Sequence, residues 1–116
     1  MVPVLTWTDV VEMASSLPGV EESTSYRTRA RKVGGKLIAR HRTDADSSVM
    51  VRCELDEKEA LVASDDPSFF TEPHYDGYAA ILVHLETVDP AQLAELLNQA
   101  WWRQAPAKLR KQVERS

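Results

Sequence analysis

Cysteine is almost missing from this 116-residue chain: Cys53 stands alone. One thiol excludes an intrachain disulfide and any multi-cysteine metal site. The expectation is therefore a reduced, cytoplasmic protein. Long apolar runs are missing too, and nothing approaches the roughly 18 residues of a membrane span. Met1-Val2-Pro3-Val4-Leu5 has neither the basic nor the long apolar region of a signal peptide, so no membrane partner is expected. His41, His74 and His84 lack metal-ligand spacing, and no metal site is expected. Asp9, Glu12, Glu21 and Glu22 are split between a helix and a turn and make a poor acidic ridge for a hard ion. No Walker A or G-x-G-x-x-G loop is present, and no serine sits in a nucleophile elbow. The sequence therefore supplies no catalytic residue and no cofactor site, and a non-enzyme is favoured.

What is present is charge, unevenly distributed. The formal net charge is −4. Residues 27–42 nevertheless carry seven Lys/Arg and no acid, residues 43–102 carry thirteen acids and two bases, and residues 103–116 carry five bases and one acid. A weakly acidic chain with such segregation still presents a basic surface to an anionic partner.

Length and a 43% hydrophobic content fit a single domain over residues 1–116. Helix one is expected from Asp9 to about Ser16, with Asp9 and Glu12 in capping-box spacing, and Leu17-Pro18-Gly19 ends it. Glu21-Glu22-Ser23 reads as a polar turn and Thr24 to Arg27 as a short strand. Residues 30–33 and 36–41 form a hairpin around Gly34-Gly35, a two-residue loop that tolerates positive φ twice. Ser48 to Glu54 alternates Val49, Val51 and Cys53 on one face with Met50, Arg52 and Glu54 on the other. Asp56-Glu57-Lys58-Glu59 reads as a second capping box. After Asp65-Asp66-Pro67 and a brief Phe69-Phe70 strand comes a turn, Pro73-His74-Tyr75-Asp76-Gly77-Tyr78. It runs into the apolar strand Ala79 to Glu86. Asp89 caps a helix with Pro90 in its first turn, whose stripe is Leu93, Leu96, Leu97, Ala100 and Trp101. Pro106 starts a last basic helix. The class is α+β: a mostly antiparallel sheet flanked by helices in two layers, in the order α-β-β-β-β-α-β-β-α-α.

A Gly34-Gly35 loop makes opposed residues sum to 69. Arg29 then faces Arg40, Arg31 faces Ile38, Val33 faces Lys36, and Arg27 faces Arg42. Like charges directly opposite cost up to roughly 1 kcal/mol per pair. Something anionic offsets that cost: phosphates of a partner, or acids of the same chain.

Leu17-Pro18-Gly19-Val20-Glu21-Glu22, Lys32-Val33-Gly34-Gly35-Lys36-Leu37, Pro73-His74-Tyr75-Asp76-Gly77-Tyr78 and Trp101 with Ala105-Pro106 occur in this order and spacing. Together they resemble the MmcQ/YjbR family over nearly the whole chain. The resemblance implies a CyaY-like α+β fold and a DNA-binding role through a double-wing arrangement. Arg31 departs from the pattern, which more often has an apolar residue there.

The expected function is weak, largely non-sequence-specific DNA binding. Arg27, Arg29, Arg31, Lys36, Arg40 and Arg42 would track phosphates. His74, Tyr75, Tyr78 and Trp102 would stack, and Lys108 and Lys111 would add charge from the last helix. Each has a plainer reading: Asp76-Gly77 is turn chemistry, Trp102 is rim packing, and the helix bases are solvated. The alternatives are a protein-interaction module, homodimeric or with an acidic partner, and a small-molecule enzyme using the His74/Asp76 turn.

Overall fold

The sheet is built around its two most apolar strands. The computed structural model describes residues 4–25, 28–41 and 48–114, apart from the side chains of Ser25, Thr28, His74 and Glu114. Strand β4 (Ser48–Arg52) pairs antiparallel with β6 (Ala80–His84), which sets Val49 opposite Val83 and Val51 opposite Ile81. These four side chains face one layer of helices. Helix α1 (Trp7–Ser15) contributes Trp7 and Val10; α3 (Pro90–Gln104) contributes Leu93, Leu96, Leu97, Ala100 and Trp101. Fully burying such a side chain stabilises the fold by about 1.5–3 kcal/mol.

The remaining strands are β1 (Val20–Ser25), β2 (Thr28–Val33), β3 (Lys36–His41) and β5 (Phe69–Phe70), in the sheet order β1-β2-β3-β4-β6-β5 with every pairing antiparallel. Helix α2 (Leu55–Ala63) contacts β5 and β6, and α4 (Ala107–Glu114) closes the chain. The element order is the expected one, with a 3₁₀ turn at Pro73–Tyr75 added. On the opposite sheet face, Met50, Ala80 and Leu82 are covered by Tyr75 with Leu37 and Phe70; no described helix residue joins that cluster. No described helix is long and apolar enough to cross a membrane.

Several local expectations are corrected. Helix α1 starts two residues early because Trp7 belongs to its buried stripe with Val10 and Ala14. Asp9 is therefore not the cap: its carboxylate accepts from the Thr6 backbone N–H at 2.8 Å and from the Thr6 hydroxyl at 3.2 Å. Helix α2 starts at Leu55, with no side-chain cap from Glu54, so the Asp56–Glu59 box does not form. Asp56 and Glu57 sit in its first turn, where acids suit the helix dipole. The polar turn at Glu21-Glu22-Ser23 is instead part of β1. Glu21 lies opposite Lys32 and Glu22 opposite Arg31, and opposite charges facing each other favour the pairing.

The hairpin turns where expected, with φ of 57° at Gly34 and 78° at Gly35. Val33 pairs with Lys36 and Lys32 with Leu37, but a register shift then sets Arg31 opposite Ala39 and Ala30 opposite Arg40. Ile38 is the extra residue. The bulge turns Ile38 and Ala39, adjacent in sequence, both into the helix-side core. It also dissolves the expected arginine ladder. Arg29 lies opposite Thr24, and Arg31 shares the helix-side face with Ala39. Arg40 lies on the other face beside Met50. The Arg27–Arg42 pair falls outside the described residues.

The hairpin tip is docked. A Cβ added at Gly34 would meet Pro106 Cγ at 2.8 Å, and the Gln104 side-chain amide donates to the Leu37 carbonyl at 2.9 Å.

Candidate functional site

The densest polar and aromatic cluster lies on the sheet face that carries Tyr75. Pro73 opens the 3₁₀ turn, in which the Tyr75 N–H donates to Glu72 O at 2.8 Å and the Tyr78 N–H to Tyr75 O at 3.0 Å. Gly77 takes a φ of 76° and brings the chain back into β6. The turn thereby presents two tyrosines, one buried and one exposed, with ring centroids 6.2 Å apart.

Each tyrosine meets an arginine from a different strand. Arg40 of β3 donates to the Tyr75 hydroxyl. Arg52 of β4 donates to the Tyr78 hydroxyl at 2.5 Å, with its guanidinium carbon 4.7 Å from the ring centroid. Such cation–π geometry is worth about 0.5–1 kcal/mol at an exposed site. Beside them Phe70 stacks on His84 with centroids 4.1 Å apart. Beneath the turn, Lys58 of α2 is only 6% exposed, and its ammonium donates to Tyr75 O at 2.5 Å and Tyr78 O at 2.9 Å.

A second basic and aromatic group lies on the helix side. Trp101 is buried, and its indole N–H donates to Pro18 O at 2.7 Å. Trp102, edge-on to it at 5.2 Å, is half-buried. Trp102, Ala107, Arg110 and Lys111 line a cleft of about 370 Å³.

A second cleft, of about 340 Å³, is lined by Cys53, Glu54, Asp56, Glu57, Gln99 and Arg103, with Arg103 paired to Glu54 at 3.2 Å. Burial pushes the Cys53 thiol up to about 11; Glu57 adds to the rise, and Lys58, Arg103 and Arg52 partly oppose it. Burial, then Glu54 and Glu95, also raise the Glu57 carboxyl. At pH 8 the Cys53 thiolate fraction is about 100-fold below that of an ordinary thiol, so iodoacetamide alkylation is expected to be slower by at least that factor. Below about pH 8 the thiol is mostly protonated in folded and unfolded chains alike. Between pH 9 and pH 11 the unfolded chain loses the proton first, so urea midpoints are expected to fall over that window. Among the described residues, no group of three His, Cys, Asp or Glu is placed to hold a metal ion.

The residues expected from sequence divide between the two sides. Arg40, Tyr75 and Tyr78 come together on the open face. Trp102 and Lys111 come together on the helix side. Arg29, Lys36 and Lys108 are exposed, and Arg31 is half-buried. Arg27, Arg42 and the His74 side chain lie outside the described residues. Sequence reasoning missed Arg52 and Lys58 as site residues. Strand alternation already assigned Arg52 to the face away from Val51, but nothing in the sequence pairs it with Tyr78. Lys58 looks like an ordinary helix-surface lysine.

Comparison with known proteins gives a consistent relationship. A YjbR family model matches residues 15–103. Uncharacterised proteins of Mycobacterium tuberculosis and Mycobacterium bovis are each 33% identical over 121 residues, covering 90% of this chain and 92% of the relative. The crystal structure of a Deinococcus radiodurans protein with a DUF419 domain superposes with a TM-score of 0.75 at 21% identity, covering 97% of this chain and 91% of that one. That likeness is one of fold.

Proposed function

This chain belongs to the YjbR family, and we propose that it binds DNA weakly, with little sequence preference, through the sheet face beneath the Pro73–Tyr78 turn. The observation that carries this reading is the pair of arginine–tyrosine contacts, Arg40 with Tyr75 and Arg52 with Tyr78, side by side on one face. Lys32 points to the same face, opposite Leu37. Cationic groups interleaved with aromatic rings are what an unpaired strand needs: charge along its backbone and flat surfaces for its bases. Tyr78, 41% exposed, offers its ring for stacking, and the Phe70–His84 pair extends the aromatic surface. The interface thus moves from the Gly34-Gly35 tip, which leans on Pro106, to the strands behind it.

Fluorescence anisotropy with labelled single-stranded and duplex DNA tests the proposal. The single strand is expected to bind more tightly, because only its bases are free to stack. Three phosphate contacts imply that duplex affinity falls roughly 40-fold between 50 and 200 mM salt. An Arg52→Ala/Tyr78→Ala variant is expected to lose most binding, whereas Arg110→Ala/Lys111→Ala retains it. Absence of binding at 50 mM salt, or equal losses in both variants, would overturn the reading.

A second reading rests on the helix-side cleft, where half-buried Trp102 lies beside Arg110 and Lys111. That chemistry suits an acidic segment of a partner or of a second copy. Sedimentation that shows association abolished by Trp102→Ala would favour it.

A further inference from the structure

The two edges of the sheet are built differently. Edge strand β5 is two residues long and packs against α2. Short length and a covering helix are common guards of a sheet edge. Edge strand β1 is six residues long, pairs with β2 in unbroken register, and has neither a proline nor a lysine. No described strand pairs with its outer side. Its two acids are no guard either, because Glu21 lies opposite Lys32 and Glu22 opposite Arg31. A regular edge of this length, with its charges already opposed, is a template for one more strand.

Charge decides which strand fits. A basic segment added to β1 would lie one strand away from Arg29, Arg31 and Lys32, and would gain little from acids that those residues already face. A second copy of β1 brings no base. Two identical antiparallel strands are related by a two-fold axis normal to the sheet, which keeps opposed side chains on one face. An axis through Glu21 or Glu22 sets like charge on like, which is unfavourable. An axis through Thr24 carries both glutamates past the end of the partner's β1. An axis through Ser23 avoids both faults. Glu21 then faces the partner's Ser25, and Glu22 faces the partner's Thr24. Thr24 itself lies opposite exposed Arg29. Each Glu22 is thereby in line with Arg31 of its own chain and, across a short threonine, with the partner's Arg29.

We propose that β1 is a homodimer interface, at which two copies pair antiparallel about Ser23 and join their six-stranded sheets into one. No residue of β1 belongs to the DNA-contacting set, so the two proposals stand or fall separately.

Sedimentation of the full chain over a wide range of concentrations provides the test. The parent chain is expected to dimerise as concentration rises, and amide shifts are expected to move at Glu22 and Thr24 but not at Phe69 or Phe70. Ser23→Lys sets like charges opposite each other on the axis and is expected to weaken the dimer about fivefold. Thr24→Lys sets a base opposite the partner's Glu22 at both symmetry-related positions and is expected to tighten it about fivefold. Trp102→Ala is expected to leave it unchanged. Melting temperatures establish that each variant folds. If Ser23→Lys does not fold, Thr24→Lys decides alone. The proposal is overturned by a parent chain that stays monomeric, by a dimer that Thr24→Lys fails to tighten, by a folded Ser23→Lys that dimerises as tightly as the parent, or by association lost in Trp102→Ala.

Discussion

Trp101→Ala is expected to lower the folding free energy by about 3–5 kcal/mol, the range for a large aromatic deleted from a packed core. Trp101 is 1% exposed and belongs to the helix-side core with Leu97 and Ala100. Its indole N–H also holds the Pro18 carbonyl at 2.7 Å, which fastens the end of α1 to α3 across 83 positions of sequence. Truncation therefore opens a cavity and strips the Pro18 carbonyl of that bond. A loss of that size is a large part of the 5–15 kcal/mol that separates folded from unfolded states in ordinary domains. Trp102→Ala is expected to cost far less, because that ring is half-buried at the cleft edge. Urea denaturation of the two variants gives the comparison directly. Trp101→Phe separates the two contributions further, since it keeps most of the apolar volume and loses the hydrogen bond. Equal losses in Trp101→Ala and Trp102→Ala would contradict the assignment of one ring to the core and the other to its rim.

The contrast between those adjacent tryptophans was legible in the sequence. Trp101 continues a stripe through Leu93, Leu97 and Ala100, and helical geometry turns its neighbour about 100° away. The faces of β4 and the Gly34-Gly35 turn were legible for the same reason: each depends on a short-range periodicity or a local backbone demand. The register of the hairpin was not. A bulge at Ile38 is favoured only because the core accepts two consecutive apolar residues there, and that depends on the shape of α1 and α3 above the sheet. The outcome reassigned the arginines, separating Arg31 from Arg40 and leaving the latter to meet Tyr75. The first part of strand β1 was hidden for a related reason; only Thr24 and Ser25 fall in the strand expected from Thr24 to Arg27. Its sequence, Val-Glu-Glu-Ser-Thr-Ser, has little apolar content, and its pairing draws on the basic strand beside it rather than on any pattern of its own. Long-range pairs such as Arg52 with Tyr78, 26 positions apart, leave no mark in a single sequence, because neither partner's local context requires the other.

Lys58→Ala is expected to cost about 2–4 kcal/mol and to loosen the Pro73–Tyr78 turn. Lys58 is 6% exposed, and its ammonium bonds two carbonyls of that turn. Hydrogen bonds from a charged donor contribute about 1.5–3 kcal/mol each. The loss is moderated because both carbonyls keep a backbone donor: Tyr75 O accepts from the Tyr78 N–H at 3.0 Å, and Tyr78 O from the Ala80 N–H at 2.8 Å. Deleting the ammonium also removes its desolvation penalty from the folded state. Lys58→Met keeps the stem and removes the charge, so it is expected to cost only about 1–2 kcal/mol, the ammonium's net share of a hydrogen-bonded site. Amide exchange locates the effect: in both variants the Tyr78 and Ala80 amides are expected to exchange faster, while those of β4 keep their protection. If Lys58→Met matches the parent chain in stability and in exchange at Tyr78, the lysine serves as an aliphatic stem. The orientation of Tyr75 toward Arg40 would then rest on the backbone of the turn and on the packing of its ring over Met50 and Leu82.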